Sequence, residues 1–168
     1  LPLITAKGMR IKAEDRAYLL ELARDTWRFF ERTVTAQDNH LPPDNLQVDH
    51  EPTIAHRTSP TNIGLYLLSV ACARQFGWLT TAQLIKRLQV TLETVERMPK
   101  ENGHLLNWYQ TETLEVLQPA YVSAVDSGNL AGHLIAVAGA CYSLASKADS
   151  TTDEKKALGL IGEQCERI

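Results

Sequence analysis

Two segments of this chain, residues 63–76 and 130–144, carry apolar or small residues on nearly every face. Helices of that kind are buried on all sides, so they belong at the centre of a fold. Each segment follows a polar turn, residues 56–64 for the first and 126–131 for the second. Free backbone N–H groups and a positive dipole end therefore lie where each turn enters its helix. The sequence predicts a binding site built from polar side chains at the mouths of two central helices.

Three amphipathic helices alternate with these two along the chain. They are predicted at residues 12–35, from 80 or 81 to 98, and from 152 to the last residue, each with apolar residues at spacings of three and four. The central helices are predicted at residues 60–76 and 128–145. The apolar stripes of the amphipathic helices are Leu19, Ala23, Trp27, Phe30 and Val34; Leu84, Leu88, Leu92, Val95 and Met98; and Leu158, Ile161, Cys165 and Ile168.

This alternation predicts an all-α fold of antiparallel helical hairpins with inner and outer helices. A faint internal repeat supports it, because residues 62–68 align with residues 129–135. Repeats of one inner and one outer helix form a solenoid or a closed toroid. The long connections, residues 36–59 and 100–125, precede only inner helices, so the functional face is expected there. Residues 1–10 are predicted to be irregular.

Composition narrows the function classes. A chain of 168 residues suits one domain, and 44% hydrophobic residues supply a core. A net charge of −3 without a basic block argues against nucleic acid. The histidines lack metal-ligand spacing, and we expect no metal or cofactor. No signal peptide is visible and no apolar run is long enough for a membrane span, so a soluble cytosolic domain is expected. Cys72, Cys141 and Cys165 are interpreted as small buried residues in a reducing compartment.

The last helix reaches Ile168 without a Gly, Asn or Pro stop, and five helices leave one hairpin incomplete. We therefore expect residues 1–168 to be a single domain cut from a larger one, with apolar faces that favour self-association.

Polar side chains of the first long connection are candidate ligand-binding groups. Asp44 and Asn45, on a turn stiffened by two prolines, can hold sugar hydroxyls, or can form an Asx turn that satisfies its own backbone. His56 and Arg57, just before the second helix, can clamp a hydroxyl-rich or anionic ligand. The alternative is that they form ion pairs with Asp44 or with other acidic residues of the loop.

The second connection and the inner helix starts supply the remaining candidates. Trp108 and Tyr109 can stack on sugar rings or can plug the core. Asn62 and Asn129 recur in the repeat, where the alternative role is local capping. Asp126 can orient a substrate or act in catalysis, whereas the alternative is that Asp126 or Ser127 is a plain N-cap. Glycoside chemistry needs two carboxylates, and sequence spacing does not identify the pair among Asp44, Glu51, Glu112, Glu115 and Asp126.

Four stretches occur together in one order: residues 41–47 (LPPDNLQ), 55–68 (AHRTSPTNIGLYLL), 107–109 (NWY) and 121–133 (YVSAVDSGNLAGH). In these motifs the chain resembles the glucoamylase-like middle domain of the NdvB-type cyclic β-1,2-glucan synthases. The resemblance is continuous from about residue 27 to residue 134, and the two ends match only in helical character.

The resemblance implies a partial (α/α)6 toroid, the first helices of a domain that closes β-1,2-glucan into a ring by transglycosylation. It implies a β-1,2-glucan chain and other domains of the same polypeptide as partners, and a place on the cytoplasmic side of the bacterial inner membrane within a larger membrane protein. A complete toroid has more hairpins than this chain, so we expect the key glutamates to lie beyond Ile168. The catalytic residues are therefore unknown, and the isolated chain is expected to be inactive. A non-catalytic helical module that binds a protein partner is the alternative function.

Overall fold

The computed structural model describes residues 12–48 and 51–168, and most of these are helical. The prediction for residues 1–10 falls outside that range. Within the described residues, five helices follow the predicted order, joined by short paired strands. The helices are α1 (Ala13–Thr33), α2 (Pro60–Gln75), α3 (Thr81–Arg97), α4 (Ala124–Ala145) and α5 (Thr152–Arg167).

The two ends of α2 lie where the capping residues in the sequence predict them. The Ser59 side chain accepts a hydrogen bond from the backbone N–H of Asn62 at 3.2 Å, and Pro60 is the first helical residue. After the helix, Gly77 adopts a φ of 78°. Its N–H donates to the carbonyl of Arg74, and the next N–H reaches back to the helix in a Schellman pattern. The predicted cap and stop of α2 are therefore correct.

The start of α4 differs from the prediction. The helix begins at Ala124, and Ser123 is its N-cap, accepting from the N–H of Asp126 at 3.2 Å. The interpretation of Asp126 or Ser127 as the cap is wrong. Gly128 and Asn129 are poor helix formers, so the sequence did not indicate that the first turns of α4 precede them.

The helices form two layers. The inner helices α2 and α4 pack against each other, α4 packs on α5, and α3 contacts both α5 and α2. The apolar stripe predicted for the outer helix α3 is confirmed as its buried face, since each of its five residues is at most 2% exposed. In α1, only the C-terminal half of the stripe is covered, because Leu19 is 48% exposed. The predicted alternation of inner and outer helices is therefore present.

Two expectations about burial need correction. The α4 helix is not buried all round in this chain, because Val125 and Ile135 are 73% and 72% exposed on the side away from its neighbours. Cys141 and Cys165 are buried as expected, whereas Cys72 on α2 is exposed. A predicted inner helix keeps an open face wherever no further helix covers it.

By length and composition, α4 could also cross a membrane. This differs from the expectation that no apolar run is long enough, because the helix extends to 22 residues. A core helix passes the same test, and α4 packs on both α2 and α5.

Each long connection contains short antiparallel strands; residues 105–109 were expected to be extended, but the bounds and pairing of the strands were not predicted. They are β1 (Leu46–Gln47), β2 (Thr53–Ile54), β3 (Arg57–Thr58), β4 (Lys100–Glu101), β5 (His104–Leu105) and β6 (Tyr109–Gln110). β1 pairs with β2 and β4 with β5, the latter through a turn in which Asn102 and Gly103 have positive φ. The β3–β6 pair joins the two connections, with Arg57 opposite Gln110. This pair brings distant polar residues to one face.

Candidate functional site

The N-terminal ends of α2 and α4 are joined by side chains, which we call the Asp126 cluster (Thr61, Asp126 and Asn129). The hydroxyl of Thr61 donates to the Asp126 carboxylate, and Asn129 Nδ2 donates to the Thr61 hydroxyl at 3.1 Å. Asp126 is therefore a link between inner helices rather than a cap. Ser127 lies beside it and lines a separate small cavity with Pro60. The mouths of both central helices meet, as the repeated polar turns predicted.

A second group, the Asp44 cluster (Asp44, Asn45, Arg57 and Asn62), lies at the entrance to α2. Arg57 donates from Nε and Nη2 to Asp44 Oδ2 at 3.1 and 2.9 Å. Asn45 Nδ2 donates to the same oxygen at 2.9 Å, and Asn62 Nδ2 reaches the other one at 3.4 Å. The ion pair between Arg57 and Asp44, one of the alternatives considered above, is present. It also holds Arg57 in one orientation while the side chain stays half exposed.

Trp108 and Tyr109, neighbours in sequence, have opposite environments. The guanidinium carbon of Arg57 lies 5.1 Å from the centroid of the half-buried Trp108 ring. Tyr109 is 0% exposed, and its hydroxyl donates to the Pro99 carbonyl at 2.6 Å while accepting from the Leu106 N–H. The expectation that Tyr109 offers a free ring to a sugar is corrected, since Tyr109 plugs the core. Trp108 and Arg57 form a cation–π pair at the surface.

One buried acid of this face, Asp38, was not identified as a candidate from the sequence. Asp38 is only 3% exposed, and its Oδ1 accepts from Thr111 Oγ1 at 2.6 Å and lies 2.7 Å from His56 Nδ1. Its Oδ2 accepts from Thr35 Oγ1 at 3.0 Å. We call Thr35, Asp38, His56 and Thr111 the Asp38 cluster. His56 thus pairs with an acid that the sequence reading did not consider.

The electrostatics of this cluster follow from those contacts. Burial raises the pKa of Asp38, but the hydrogen bonds from Thr111, His56 and Thr35 together outweigh it, and the pKa ends below its ordinary value. The hydrogen bond to Asp38 raises the pKa of His56 above its ordinary value, against a smaller opposing effect of burial. The pair therefore favours a carboxylate beside an imidazolium.

Backbone contacts fix the Asp38 cluster to both connections. Asn39 Nδ2 donates to the carbonyls of Thr111 and Glu112 at 2.8 Å, and the Thr111 N–H donates to the His56 carbonyl at 3.0 Å. Locally, Asp38 takes part in a turn in which its N–H donates to the Thr35 hydroxyl at 3.3 Å. The short spacing of these two residues is the only feature of the sequence that points to Asp38. That signal indicates a turn but gives no indication of the partner His56.

An open cavity of about 370 Å³ lies beside these residues, lined by Gln47, Thr53, Ala55, His56 and Arg57. The volume is at the lower end of the range for small-ligand sites. The lining offers amide, hydroxyl, imidazole and guanidinium groups, which bind hydroxyl-rich ligands by donating and accepting hydrogen bonds. Gln47 lies within a motif quoted above but was not singled out, and Thr53 was missed.

Three of the loop carboxylates are already engaged: Asp44, Asp126 and Glu112. Gln37 and Gln110 donate to Glu112, and these hydrogen bonds lower its pKa. Glu51 and Glu115 are exposed. Among residues 12–48 and 51–168, no group of three or more His, Cys, Asp or Glu side chains is arranged to hold a metal ion.

Comparison with known proteins gives matches in both sequence and structure. Residues 21–157 match the profile of a family described as "Protein of unknown function (DUF3131)". Over 121 residues, 72% of this chain, the sequence is 60% identical to the cyclic beta-(1,2)-glucan synthase NdvB of Rhizobium meliloti strain 1021. The resemblance inferred from the four motifs is thereby confirmed. This chain spans only 4% of the length of that relative.

The solved structures that resemble this chain are glucoamylase-like. They include a candidate glucoamylase from Bacteroides fragilis NCTC 9343, with a TM-score of 0.70, 16% identity and coverage of 95% of this chain and 37% of that one. An endo-beta-1,2-glucanase from Chitinophaga pinensis, solved with sophorotriose and glucose, has a TM-score of 0.70 at 15% identity, covering 92% and 36%. A beta-1,2-glucanase from Parabacteroides distasonis has a TM-score of 0.66 at 12% identity, covering 95% and 22%. The predicted all-α toroid-type fold is confirmed.

Proposed function

The chain belongs to the DUF3131 family of proteins of unknown function, and from its polar loop face we propose that it binds β-1,2-glucan. The observation that carries this proposal is the open cavity flanked by His56 and Arg57, with Trp108 stacked on the Arg57 guanidinium. Sugar rings are bound by aromatic faces together with fixed hydrogen-bonding groups. The 60% identity to a cyclic beta-(1,2)-glucan synthase supports this choice of ligand.

The proposed glucan-binding residues fall into three groups along the face. The Asp44 cluster and His56 supply polar groups at the cavity, and Trp108 supplies the stacking surface. The Asp126 cluster and Ser127 supply polar groups at the second helix mouth. Tyr109 contributes from below, by holding the β3–β6 pair against the core. The residues proposed to contact the glucan are Asp44, Asn45, His56, Arg57, Asn62, Trp108, Asp126, Ser127 and Asn129, whereas Tyr109 and Thr61 support them from within the fold.

We further propose that this chain is part of a larger (α/α)6 domain that closes β-1,2-glucan into a ring by transglycosylation. The coverage of only 22–37% of the similar solved chains supports a larger domain. The exposed apolar side chains of Val125 and Ile135 are available to pack on further helices of such a ring. In this proposal the parent protein works at the bacterial inner membrane, with this domain on the cytoplasmic side. The catalytic carboxylates lie elsewhere in the ring, and the isolated chain is inactive.

Titration calorimetry of the 168-residue chain with linear β-1,2-gluco-oligosaccharides tests glucan binding. We expect binding that is lost in Trp108→Ala and weakened in Asp126→Ala, whereas Trp108→Phe retains part of the affinity because it keeps an aromatic face. The exposed Tyr121→Ala is the matched control and should bind like the wild type. Failure of the folded wild-type chain to bind any such oligosaccharide contradicts the proposal.

The role in cyclisation is tested in the parent protein. Arg57→Ala and Asp126→Ala are expected to reduce cyclic product without unfolding the protein. Arg57 is half exposed, and Asp44 keeps its hydrogen bonds from Asn45 and Asn62 when the guanidinium is removed. Normal amounts of cyclic glucan from both variants would exclude this face from the reaction.

A further inference from the structure

One ring nitrogen of His56 is engaged by Asp38, and the residue borders the polar cavity. Nδ1 lies 2.7 Å from Asp38 Oδ1, and because an ionised carboxylate can only accept, the Nδ1–H group donates this hydrogen bond in both the charged and the neutral ring. His56 also lines the polar cavity, and its side chain is 38% exposed. With Nδ1 engaged, Nε2 is the nitrogen left for a ligand.

The other contacts of Asp38 make this arrangement rigid. The carboxylate accepts from hydroxyls on both sides, Thr35 and Thr111, so it cannot rotate away without losing them. Thr111 is also joined through its N–H to the backbone of His56. Thr111 therefore holds both the Asp38 carboxylate and the backbone of the residue that carries the imidazole.

We propose that Asp38 is a positioning residue for glucan binding: it fixes the His56 ring so that Nε2 presents a hydrogen-bonding group to a sugar hydroxyl in the cavity. This inference rests on the glucan-binding function proposed above and adds the atom that makes the contact. It also assigns a role to a buried acid that does not itself reach the ligand.

A pH dependence follows from the charge of the ring. The charged groups that act on His56 are Asp38 and Glu112, both of which raise its pKa, and Arg57 is its chain neighbour in the cavity. Below that raised pKa, Nε2 carries a proton and donates a charge-assisted hydrogen bond, which is stronger than a neutral one. Above it, Nε2 becomes an acceptor. We expect the affinity for glucan to fall about fivefold as the pH rises through the pKa of His56.

Nuclear magnetic resonance of the ligand-free 168-residue chain tests the positioning without any glucan. Long-range ¹H–¹⁵N spectra identify the tautomer of His56, and a titration gives its pKa. We expect the neutral ring to be protonated on Nδ1, and Asp38→Asn to lower the pKa and mix the tautomers. Asp149→Asn, which changes an exposed acid after α4, is the matched control and should leave His56 unchanged. A neutral ring protonated on Nε2 would overturn the proposal.

Calorimetry with the same oligosaccharides at several pH values tests the binding. His56→Gln places an amide near Nε2, and it should keep most of the affinity while removing the pH dependence. His56→Asn places its amide near Nδ1, and it should lose affinity at least as far as the wild type does at high pH. Both variants keep Asp38, so they still test which nitrogen of His56 contacts the glucan even if Asp38→Asn unfolds the chain.

The outcomes separate the two proposals. Wild-type affinity that is constant with pH and equally reduced in His56→Gln and His56→Asn would overturn the positioning role while leaving glucan binding intact. Absence of binding at every pH would contradict the proposed function itself. In that case the nuclear magnetic resonance result still decides whether Asp38 fixes the ring.

Discussion

The backbone of Gly64 on α2 packs against the ring of His133 on α4, so closely that a Cβ at position 64 would lie 2.9 Å from His133 Nδ1. The ring has little freedom to withdraw, because Nδ1 is also 2.6 Å from the carbonyl oxygen of Asn129. This contact sets how near the two inner helices approach just below the proposed site.

Gly64→Ala is therefore expected to destabilise the chain by about 1–3 kcal/mol, through overpacking of the α2–α4 contact. Urea unfolding followed by circular dichroism measures the change. Gly139→Ala in α4 is the matched control, since a Cβ there meets no heavy atom within 4 Å among the described residues. The control should gain up to about 1 kcal/mol from helix propensity. A Gly64→Ala variant as stable as the Gly139→Ala control would contradict the close approach, since both changes gain the same helix propensity.

The N-cap of α4 gives a second test with a matched pair of serines. Ser123→Ala removes the side chain that accepts from the Asp126 N–H, so it should cost about 1 kcal/mol of unfolding free energy. Ser127→Ala changes a residue inside the helix, where alanine is the better helix former, and should be neutral or slightly stabilising. Urea denaturation distinguishes them. The reverse ranking would mean that the helix starts where the sequence first suggested.

Stability should depend on pH through Asp38 and His56. The pKa of Asp38 is lowered from 3.8 in the fold, so its contribution is present above that value and is lost as the pH falls through the folded pKa. The pKa of His56 is raised from 6.5, so its contribution is present below that value and is lost as the pH rises through the folded pKa.

The stabilisation by this pair is therefore largest between about pH 4 and pH 6.5. Melting temperatures of wild type and His56→Gln, measured from pH 3 to pH 9, should differ most in that window and converge on both sides of it. A difference that is constant with pH would show that His56 acts through packing alone.

The three thiols should differ in reactivity. Cys72 is exposed, whereas burial raises the pKa of Cys141 to about 12 and that of Cys165 to about 11. Only the thiolate reacts readily, so a disulfide reagent at neutral pH should modify Cys72 quickly in the folded chain and all three thiols in denaturant. Cys72→Ser should abolish the fast phase. A fast phase that persists in this variant would mean that the α4–α5 contact opens in solution.

Much of the fold was predictable because local chemistry and periodicity act within a few residues. Ser59, Pro60 and Gly77 specify the ends of α2, and Pro99 follows the end of α3. The start of α4 was not predictable, since Gly128 and Asn129 are poor helix formers and only packing on α2 offsets that preference. The bounds and pairing of the strands were missed, because two-residue strands have no measurable period.

The candidate site was predicted as a location and only partly as a set of contacts. His56, Arg57 and Asp126 were identified from the polar turns. Asp44 was among the partners considered for Arg57, but neither Asp38 as the partner of His56 nor Thr61 as the partner of Asp126 was identified. The Asp38–His56 contact joins residues 18 positions apart, and the Asp38–Thr111 contact joins residues 73 positions apart. Such contacts depend on how two loops pair through β3 and β6, and a single sequence contains no local trace of that pairing.

The sequence by itself determined which helices form, which of them are inner, and which face carries the polar groups. Those properties follow from the apolar content of each helix face and from the residues at its ends. Only the tertiary structure decided that Tyr109 is buried beside an accessible Trp108, that Ser123 caps α4, and that Asp38 holds His56. The physical reason is that burial and hydrogen-bond partners depend on which distant segments meet, and the register of the β3–β6 pair fixes that meeting.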